Sequence, residues 1–569
     1  MTRPSIRRRA SLLAIIVLIM VTMVQPLAAS TRNAEARATN GMVAAAHPLA
    51  AEAGIEILKA GGNVVDAAVA TAFAVGVVEP MASNLSAEGV MLIHLADSKK
   101  TLAIDYRAQA PRATSLALEG TEAPRRGWLS MAVPGLVAGL AKALDMYGTM
   151  TLEQVLAPSI RLASEGFPIS DTLAGLIEDS YELFLNDPEL FSIYLDDGLP
   201  PLPGWVLKNP DLAETLKTLA KEGPDAFYKG SIADAIDAAS KANGGYITKQ
   251  DLASYEVLFT APVSGSYRGY DIFAAPPPSG GYMFVNALQV LENFDLGKQA
   301  YPNANSVHLI CEAHKRAYMD HRSYNGDPRS TNVPVKDLTS KFNTLQRAWE
   351  ISIDAMTPKE KIKKSEFGKK LGLEPEGQEY SSPSTTQISL IDKSGNMVSI
   401  TQTIAAFWGS GIVIPGTGIL MNDSMINYGT SSRSKPEPGK RCRLPISPAV
   451  VLKKGKPFLA FGGPGSDRIV CTNLIVFSNV VDHGMGLQDA IEAPRFFARD
   501  ESDRFEYEAN MPQQVIEGLR KKGYPIEARD VRKEFDMFFG GVQAVMMDPK
   551  TGELVGAADP RRDGAAVGY

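Results

Sequence analysis

Two threonines, Thr385 and Thr403, are the residues whose types and spacing most directly suggest chemistry. They flank two segments of alternating pattern, 387–391 and 397–401, which are joined by a turn at 392–396. A type I turn with glycine in the left-handed bulge position pairs the first turn residue with the last. Counting outward along both strands then places Thr385 opposite Thr403. The sequence therefore predicts a β-hairpin that brings two hydroxyl groups face to face.

The hydroxyl of Thr385 can act as a nucleophile only if a base removes its proton, and the residue's own α-amine can be that base. This amine is released only when the bond between Ser384 and Thr385 is cut. Its ordinary pKa, about 7.7 to 8.0, suits a base working near neutral pH. Thr403 would orient the nucleophile through a hydrogen bond. Facing threonines are also common in sheets without any catalytic role, and the pattern taken alone favours that structural interpretation.

Several motifs, found in one order along the chain, resemble the gamma-glutamyltransferase (glutathione hydrolase) family. The resemblance runs from roughly residue 41 to the C-terminus. Its blocks are Gly61-Gly62-Asn63, Asp66-Ala67-Ala68, Asp105-Tyr106-Arg107, Ala132-Val133-Pro134-Gly135, Pro276-Pro277-Pro278-Ser279-Gly280-Gly281, Thr385-Thr386-Gln387, residues 395–403, residues 415–422 and Asp559-Pro560-Arg561-Arg562-Asp563-Gly564. Chance similarity does not produce so many blocks in a shared order.

The resemblance implies a precursor that cuts itself before Thr385 and uses the new N-terminal threonine as its nucleophile. It implies an α/β fold, a four-layer αββα sandwich of the N-terminal nucleophile hydrolase type. A large subunit, 39–384, mostly helical with strands, would combine with a small subunit, 385–569. The implied reaction cleaves a γ-glutamyl amide such as glutathione through an acyl-threonine, which water or an acceptor amine resolves. No metal or organic cofactor is required.

Further roles follow from the same resemblance. Thr403 falls on the family's supporting threonine, and Arg107 on the arginine that binds the substrate α-carboxylate, a task that suits a planar guanidinium. A glycine-rich turn carries Gly465 and Ser466 where the family has two adjacent glycines whose amides stabilise an oxyanion. The sequence keeps the first glycine and replaces the second. A tight turn between a strand and a helix accounts for Gly465 equally well on sequence grounds.

The departures from the family cluster in the pocket for the glutamyl head group. Ala405 replaces an asparagine, while Ser424 and Asn427 replace an acidic or amide residue and an aspartate. Leu444-Pro445 replaces a Ser-Ser pair, and Gln387 replaces a histidine or similar residue. Together these changes remove the negative charge expected to hold a substrate α-ammonium. Two alternatives stay open: a sister amidohydrolase for another acyl amide, and a non-enzymatic exported binding protein with the same fold.

The type of secondary structure that the sequence predicts changes along the chain. Helical periodicity dominates the N-terminal portion, and alternating strand patterns begin after residue 385. Between them lies 357–384, rich in Lys, Glu, Gly, Pro and Ser, which we predict to be solvated, mobile and suited to a cut. The predicted helices are two within 47–80, broken at 61–63, and those at 134–146, 152–165, 211–222 and 306–320, the last with Ser306 as its cap.

The N-terminus predicts export. Arginines at 7–9, an apolar run at 12–24 and small residues at 28–30 form the pattern of a signal peptide over residues 1–29, with cleavage as late as residue 38 an alternative. The protein would then be periplasmic or extracellular. We expect membrane attachment only if this leader stays uncleaved.

Composition narrows the classes of function. A net charge of −6, without a basic stripe, argues against a nucleic-acid partner. Three cysteines are too few and too scattered for a disulfide framework. Cys311, His314 and His321 share one helical stripe, a pattern that favours core packing over a metal site.

Overall fold

The structure is a computed structural model that describes residues 35–114, 123–367, 375, 384–499, 504–526 and 537–569. The predicted signal peptide, residues 1–29, lies outside the described residues, as do 368–374 and 376–383 of the predicted linker. Within the described part, every helix is too short or too polar to cross a membrane.

Two seven-stranded antiparallel sheets form the centre of the fold. The first sheet holds, in spatial order, Ala565–Gly568, Gly41–Ala45, Thr386–Asp392, Met397–Thr403, Glu88–Leu95, Lys100–Asp105 and Leu258–Thr260. The second sheet holds Ala36–Ala38, Leu554–Ala558, Gln543–Met547, Lys456–Gly462, Ala449–Lys453, Tyr270–Ala274 and Val263–Tyr267. Three two-stranded ladders pair Val413–Ile414 with Ile419–Leu420, Phe496–Ala498 with Phe505–Tyr507, and Phe167–Pro168 with Val206–Leu207. Both large sheets combine strands from before and after position 385.

Helices cover the outer face of each sheet. Pro48–Lys59, Val64–Val78 and Leu136–Tyr147 pack on the first sheet, and Gly281–Leu291 and Leu487–Glu492 pack on the second. The other α-helices of the described residues are Leu152–Glu165, Asp171–Asp179, Tyr181–Phe184, Pro188–Tyr194, Pro210–Glu222, Asp225–Tyr228, Ser231–Ala242, Lys249–Ala253, Ala304–Tyr324, Val335–Leu338, Lys341–Trp349, Ile469–Val481 and Gln513–Lys521. The layers therefore run helix, sheet, sheet, helix, which confirms the predicted αββα sandwich.

The alternation of side chains along a strand explains the layering. In Gly41–Ala45, Met42 and Ala44 face the core between the two sheets, whereas Val43 and Ala45 face the core beneath the helices. A strand that is apolar on both faces must be covered on both faces. The strand is accordingly buried along its whole length.

The predicted hairpin is confirmed with its register. Thr386 pairs with Gln402 and Ile391 with Met397, so the count that places Thr385 opposite Thr403 is correct. The turn closes as expected, because the Asp392 amide donates to the Asn396 carbonyl at 3.1 Å and Gly395 has φ of 83°. We call the strands Thr386–Asp392 and Met397–Thr403 the central hairpin.

The predicted helices are confirmed, but the predicted start of one of them is wrong. The helix predicted at 306–320 runs from Ala304 to Tyr324, and its cap is Asn303, whose side chain accepts from the Ser306 amide at 2.9 Å. The hydroxyl of Ser306 donates instead to the Leu296 carbonyl. On this helix the stripe formed by Cys311, His314 and His321 lies in the core, and the described residues hold no cluster suited to a metal ion.

The first part of the predicted linker, 357–367, is mostly exposed or half-buried, as a solvated segment should be, but it is anchored at two positions. Ile362 and Ser365 are buried. Ser365 donates to Asp320 from its amide at 2.6 Å and from its hydroxyl at 2.7 Å. A buried carboxylate that needs donors holds this stretch against the helix Ala304–Tyr324.

Candidate active site

Thr385 lies at the start of the central hairpin, directly before its first strand. Its Oγ1 is hydrogen-bonded to Oγ1 of Thr403 at 3.1 Å. The Thr403 hydroxyl also accepts from the Ala405 amide at 2.9 Å. Both threonine side chains are buried. The hairpin thus holds the Thr385 hydroxyl in one place, with a second hydroxyl as its partner.

The backbone at Thr385 is strained. Its φ is 97°, a conformation open to glycine but rare for a β-branched residue. Holding a backbone in such a conformation costs about 1–3 kcal/mol of folding free energy. Ser384, on the other side of the peptide bond, is fully buried. Cutting this bond would remove the constraint, because the new N-terminal residue has no preceding carbonyl that defines φ.

Gln387 supports the hairpin from the space between the sheets. Its side-chain nitrogen donates to the hydroxyls of Ser389 and Ser399, and its oxygen accepts from Thr401 at 2.6 Å. Gly462 of the second sheet approaches so closely that a Cβ there would lie 2.6 Å from Oε1 of Gln387. This network fixes the start of the hairpin against the second sheet.

The turn with Gly465 and Ser466 follows the strand Lys456–Gly462 and leads into the helix Ile469–Val481. Gly465 has φ of 133° and Ser466 has φ of 58°. The close approach of the two sheets described above brings the start of this turn over the strand that follows Thr385. Amides at the N-terminal end of a helix favour negative charge, so the turn can stabilise an oxyanion.

Arg107 follows the strand Lys100–Asp105 and is completely buried, so it is not a surface charge. Its Nε donates to Asp105 at 3.1 Å, and its Nη2 donates to Asp105 and to the Pro277 carbonyl. Burial alone would raise the pKa of Asp105, but the guanidinium groups of Arg107 and Arg441 lower it well below its usual range. Among the described residues nothing accepts from Nη1 of Arg107. That nitrogen is available to an anion.

Ser424 and Asn427 begin and end one turn of 3₁₀-helix. Residues three apart in such a turn lie on the same side. Asn422 anchors the turn: its side-chain nitrogen donates to the carbonyls of Ser86 and Ala132, and its oxygen accepts from the Ser424 amide at 3.0 Å. The two predicted pocket residues therefore share a face on a fixed backbone.

Asp423 is a buried carboxyl beside this turn that the sequence patterns did not indicate. Its Oδ1 accepts from the Ala406 amide at 2.8 Å, while nothing among the described residues donates to Oδ2. Burial raises the pKa of Asp423 to about 8, against the opposing effect of hydrogen bonds from backbone amides.

Glu88 is a second such carboxyl, and it lies in contact with Ser424, whose hydroxyl donates to Oε1. Its Oε2 accepts from the Ala108 amide at 3.0 Å and from Cys442 Sγ at 3.3 Å. Burial raises the pKa of Glu88. The sequence carried one signal of it, a lone acid at the start of an apolar strand. Only the pairing of that strand reveals what the acid faces.

The remaining departures from the family lie close to Arg107. Leu444 donates its amide to the carbonyl of Pro278 at 3.2 Å, one residue beyond the Pro277 carbonyl that Arg107 binds. A Cβ on Gly280 would lie 2.6 Å from the Pro445 carbonyl oxygen. The structure therefore brings Leu444-Pro445 and Arg107 to one proline-rich turn.

Known proteins resemble this chain over nearly its whole length. It is 37% identical over 555 residues to the Glutathione hydrolase proenzyme of Escherichia coli (strain K12), covering 94% of this chain and 92% of that protein. It is 37% identical over 548 residues to the Acylase ACY 1 proenzyme of Pseudomonas sp. (strain SE83), covering 94% of each.

Solved structures agree in fold. The crystal structure of cephalosporin acylase from Bacillus halodurans matches with a TM-score of 0.85 at 31% identity, covering 96% of this chain and 99% of that one. The family model described as Gamma-glutamyltranspeptidase matches residues 50–569. With the motifs, the layered fold and these relatives in agreement, the chain belongs to the gamma-glutamyltranspeptidase (gamma-glutamyltransferase) family.

Proposed function

We propose that this chain is a self-cleaving threonine amidohydrolase that hydrolyses γ-glutamyl amides, glutathione among them, and passes the γ-glutamyl group to acceptor amines. The observation that carries the proposal is the hydrogen bond from Thr385 to Thr403, made by a residue whose backbone is strained at the bond to be cut. Membership in a family whose relatives are named as proenzymes supports it.

Self-cleavage begins when Oγ1 of Thr385 attacks the carbonyl carbon of Ser384. The peptide C–N bond breaks, and its nitrogen takes up the proton that leaves the hydroxyl. An ester then joins Oγ1 of Thr385 to the carbonyl carbon of Ser384. Water then hydrolyses this ester, leaving a carboxylate on Ser384 and a free amine on Thr385. The two chains form a heterodimer from one precursor, because each large sheet contains strands of both.

Turnover uses the amine that cleavage released. The amine accepts the proton of the Thr385 hydroxyl as Oγ1 attacks the γ-carbonyl, and Thr403 keeps that oxygen in position. The amides of Gly465 and Ser466 stabilise the oxyanion. The departing amine takes a proton, and water or another amine releases the glutamyl group from the acyl-threonine. Arg107 binds the α-carboxylate through Nη1, which has no acceptor among the residues that the structure describes.

A second candidate is hydrolysis of an acyl amide without an α-ammonium. The observation that favours it is the loss of the aspartate and asparagine at Asn427 and Ala405. Initial rates on γ-glutamyl-p-nitroanilide and on a panel of other acyl anilides separate the two. A rate on any other acyl anilide that exceeds the γ-glutamyl rate would favour the second candidate.

We also propose that the protein is exported and loses its leader after residue 29, or as late as residue 38. The arginines, apolar run and small residues of the N-terminus support this proposal. The mature N-terminus of protein recovered from the periplasm or medium tests it, and a starting methionine at position 1 would contradict it.

The variant Thr385→Ala tests the proposed chemistry. We expect the wild-type chain to give two bands on a denaturing gel, and this variant to give one band and no hydrolysis of the γ-glutamyl anilide. Thr386→Val is the matched control, because it changes the neighbouring threonine to a residue of similar shape and leaves the nucleophile in place. Continued cleavage of Thr385→Ala would overturn self-processing at this bond. An intact wild-type chain would favour a non-enzymatic binding protein.

A further inference from the structure

Glu88 stands in one row with the two catalytic threonines of the proposed enzyme. Glu88 is the direct cross-strand partner of Thr403, and Thr403 is in turn hydrogen-bonded to Thr385. Directly opposed residues of antiparallel strands point to the same face of a sheet. Since neighbouring strands lie about 4.8 Å apart, Glu88 is about 10 Å from the nucleophile, measured across the sheet. This distance is similar to the length of the acyl part of a substrate.

Among the described residues, no cation donates a hydrogen bond to Glu88, although the nearby guanidinium of Arg107 offsets part of the cost of burying it. Its hydrogen-bond donors are the Ser424 hydroxyl, the Ala108 amide and the Cys442 thiol, all of them uncharged. The side chain is completely buried. A buried carboxylate without a directly bonded cation stays costly to ionise. A cationic ligand bound to Glu88 would offset that cost.

Two unpaired buried groups lie beside Glu88. Nη1 of Arg107 has no acceptor among the described residues, and Arg107 directly precedes the residue whose amide binds Glu88. Oδ2 of Asp423 has no donor in the part of the chain that the structure describes, and Asp423 directly precedes Ser424. Near Glu88, the described residues thus leave one cationic nitrogen and one carboxyl oxygen without a hydrogen-bond partner. Their complement is a group with one negative and one positive charge.

We propose that Glu88 is the specificity-determining residue that binds the α-ammonium of the substrate, while Arg107 binds its α-carboxylate. The family's negative charge for the α-ammonium is missing at Ser424 and Asn427. Glu88, at the start of the strand Glu88–Leu95, supplies it instead. The substrates are then amides whose acyl group ends in an α-amino acid zwitterion. The inference rests on the proposed function and narrows its substrate class.

The variant Glu88→Gln tests this assignment with two substrates that differ in one group. γ-Glutamyl-p-nitroanilide carries the α-ammonium, and glutaryl-p-nitroanilide has hydrogen in its place. We expect kcat/KM of the variant to fall by about 10- to 100-fold on the first, because a hydrogen bond to a charged group is lost. We expect a change of less than about threefold on the second. Equal losses on both substrates, or no loss, would overturn the assignment.

A charge swap gives a second test. Asn427 shares a face of its turn with Ser424, which touches Glu88, so a carboxylate there can reach the same ligand. The double variant Glu88→Gln with Asn427→Asp should recover most of the lost kcat/KM on the γ-glutamyl substrate alone. Asn427→Asp in the wild-type background is the matched control and should gain much less. A double variant as impaired as Glu88→Gln would count against the proposal.

Binding distinguishes a failure of this assignment from a failure of the proposed function. Calorimetry on purified protein compares L-glutamate with glutarate. The wild type should prefer glutamate and Glu88→Gln should lose that preference; an unchanged preference overturns the role of Glu88, whatever the activity. A wild-type chain that neither cuts itself nor hydrolyses the γ-glutamyl anilide overturns the proposed function instead. Ser424→Ala should show the same loss of preference to a smaller degree, so that the test does not depend on one variant.

Discussion

At the scale of residues, the proposed mechanism places the nucleophile and the scissile amide in one residue, Thr385. Its hydroxyl is hydrogen-bonded to Thr403, and its backbone carries strain that cleavage before Thr385 would relieve. The same hydroxyl can therefore act first on its own chain and then on a substrate. Between the two events the chemical change is the release of the α-amine, which supplies the base that the uncut chain lacks.

The contribution of Thr403 is testable with two variants. Thr403→Val removes the hydroxyl and keeps the shape, so we expect self-cleavage and kcat to slow by about tenfold or more through the lost hydrogen bond. Thr403→Ser keeps the hydroxyl and should stay close to wild type. A time course on denaturing gels and steady-state rates provide the measurements. Equal behaviour of both variants would argue that Thr403 is only part of the sheet.

Residues could be predicted where the relevant geometry is local. The hairpin count placed Thr385 opposite Thr403 because a short turn determines the register of both strands. Glu88 escaped prediction because its partner strand lies far along the chain, and no local pattern reveals such a pairing. Arg107 was identified from its motif, but its burial against Asp105 depends on the three-dimensional structure.

At the scale of elements, the turn after Lys456–Gly462 carries a conformational requirement. Gly465→Ala should destabilise the fold by about 1–3 kcal/mol, because φ is 133° and the new Cβ would lie 3.3 Å from the Gly540 Cα. The rate on the γ-glutamyl anilide should fall as well, since we propose that the amides of this turn stabilise the oxyanion. Urea unfolding and steady-state kinetics measure the two effects.

The control for this variant is Gly484→Ala, which also has a positive φ, 66°, but has nothing within 4 Å of the new Cβ. It should cost about 1 kcal/mol and leave the rate unchanged. If Gly465→Ala kept the wild-type rate, the oxyanion role of the turn would be wrong.

The helix Val64–Val78 ends at Glu79, whose carboxylate approaches Arg562 at 3.4 Å. Burial raises the pKa of Glu79 to about 7 from its ordinary 4.5, against the opposing charge of Arg562. The folded protein therefore keeps a proton that the unfolded chain loses above pH 4.5. This carboxyl lowers the free energy of unfolding progressively as pH rises from about 4.5 to about 7.

Glu79→Gln removes that dependence. Relative to the parent, the variant should gain up to about 3 kcal/mol of stability between pH 4.5 and pH 7, and nothing further above pH 7. Urea unfolding of both proteins across this range, in the uncut Thr385→Ala background, measures the difference. A difference that does not vary with pH would show that Glu79 is ionised in the folded protein.

The elements themselves were largely predictable, with informative exceptions. Helix interiors follow from periodicity, but the start of the helix Ala304–Tyr324 depended on which of two polar residues accepts the free amide, and Asn303 does so. The stretch 357–367 has no periodicity and is mostly exposed or half-buried, but Ser365 within it is buried because Asp320 needs the donors that Ser365 supplies. Composition alone contains no information on such a tertiary contact.

At the scale of the whole molecule, the sandwich explains why a cut chain can stay assembled. Each sheet is continuous across the boundary at 385, so separating the two parts would expose long strand edges and the core between the sheets. Periodicity predicted only mixed helices and strands. The four layers followed from family resemblance, because the spatial order of strands is set by long-range pairing that local patterns do not encode.

The most direct test of the central claim is intact-mass spectrometry of the purified wild-type protein beside Thr385→Ala. We predict that the wild type consists of two chains, one starting at Thr385 with a free amine and the other ending at Ser384, whereas the variant is a single chain. A wild-type polypeptide that is continuous through these two residues would contradict the account.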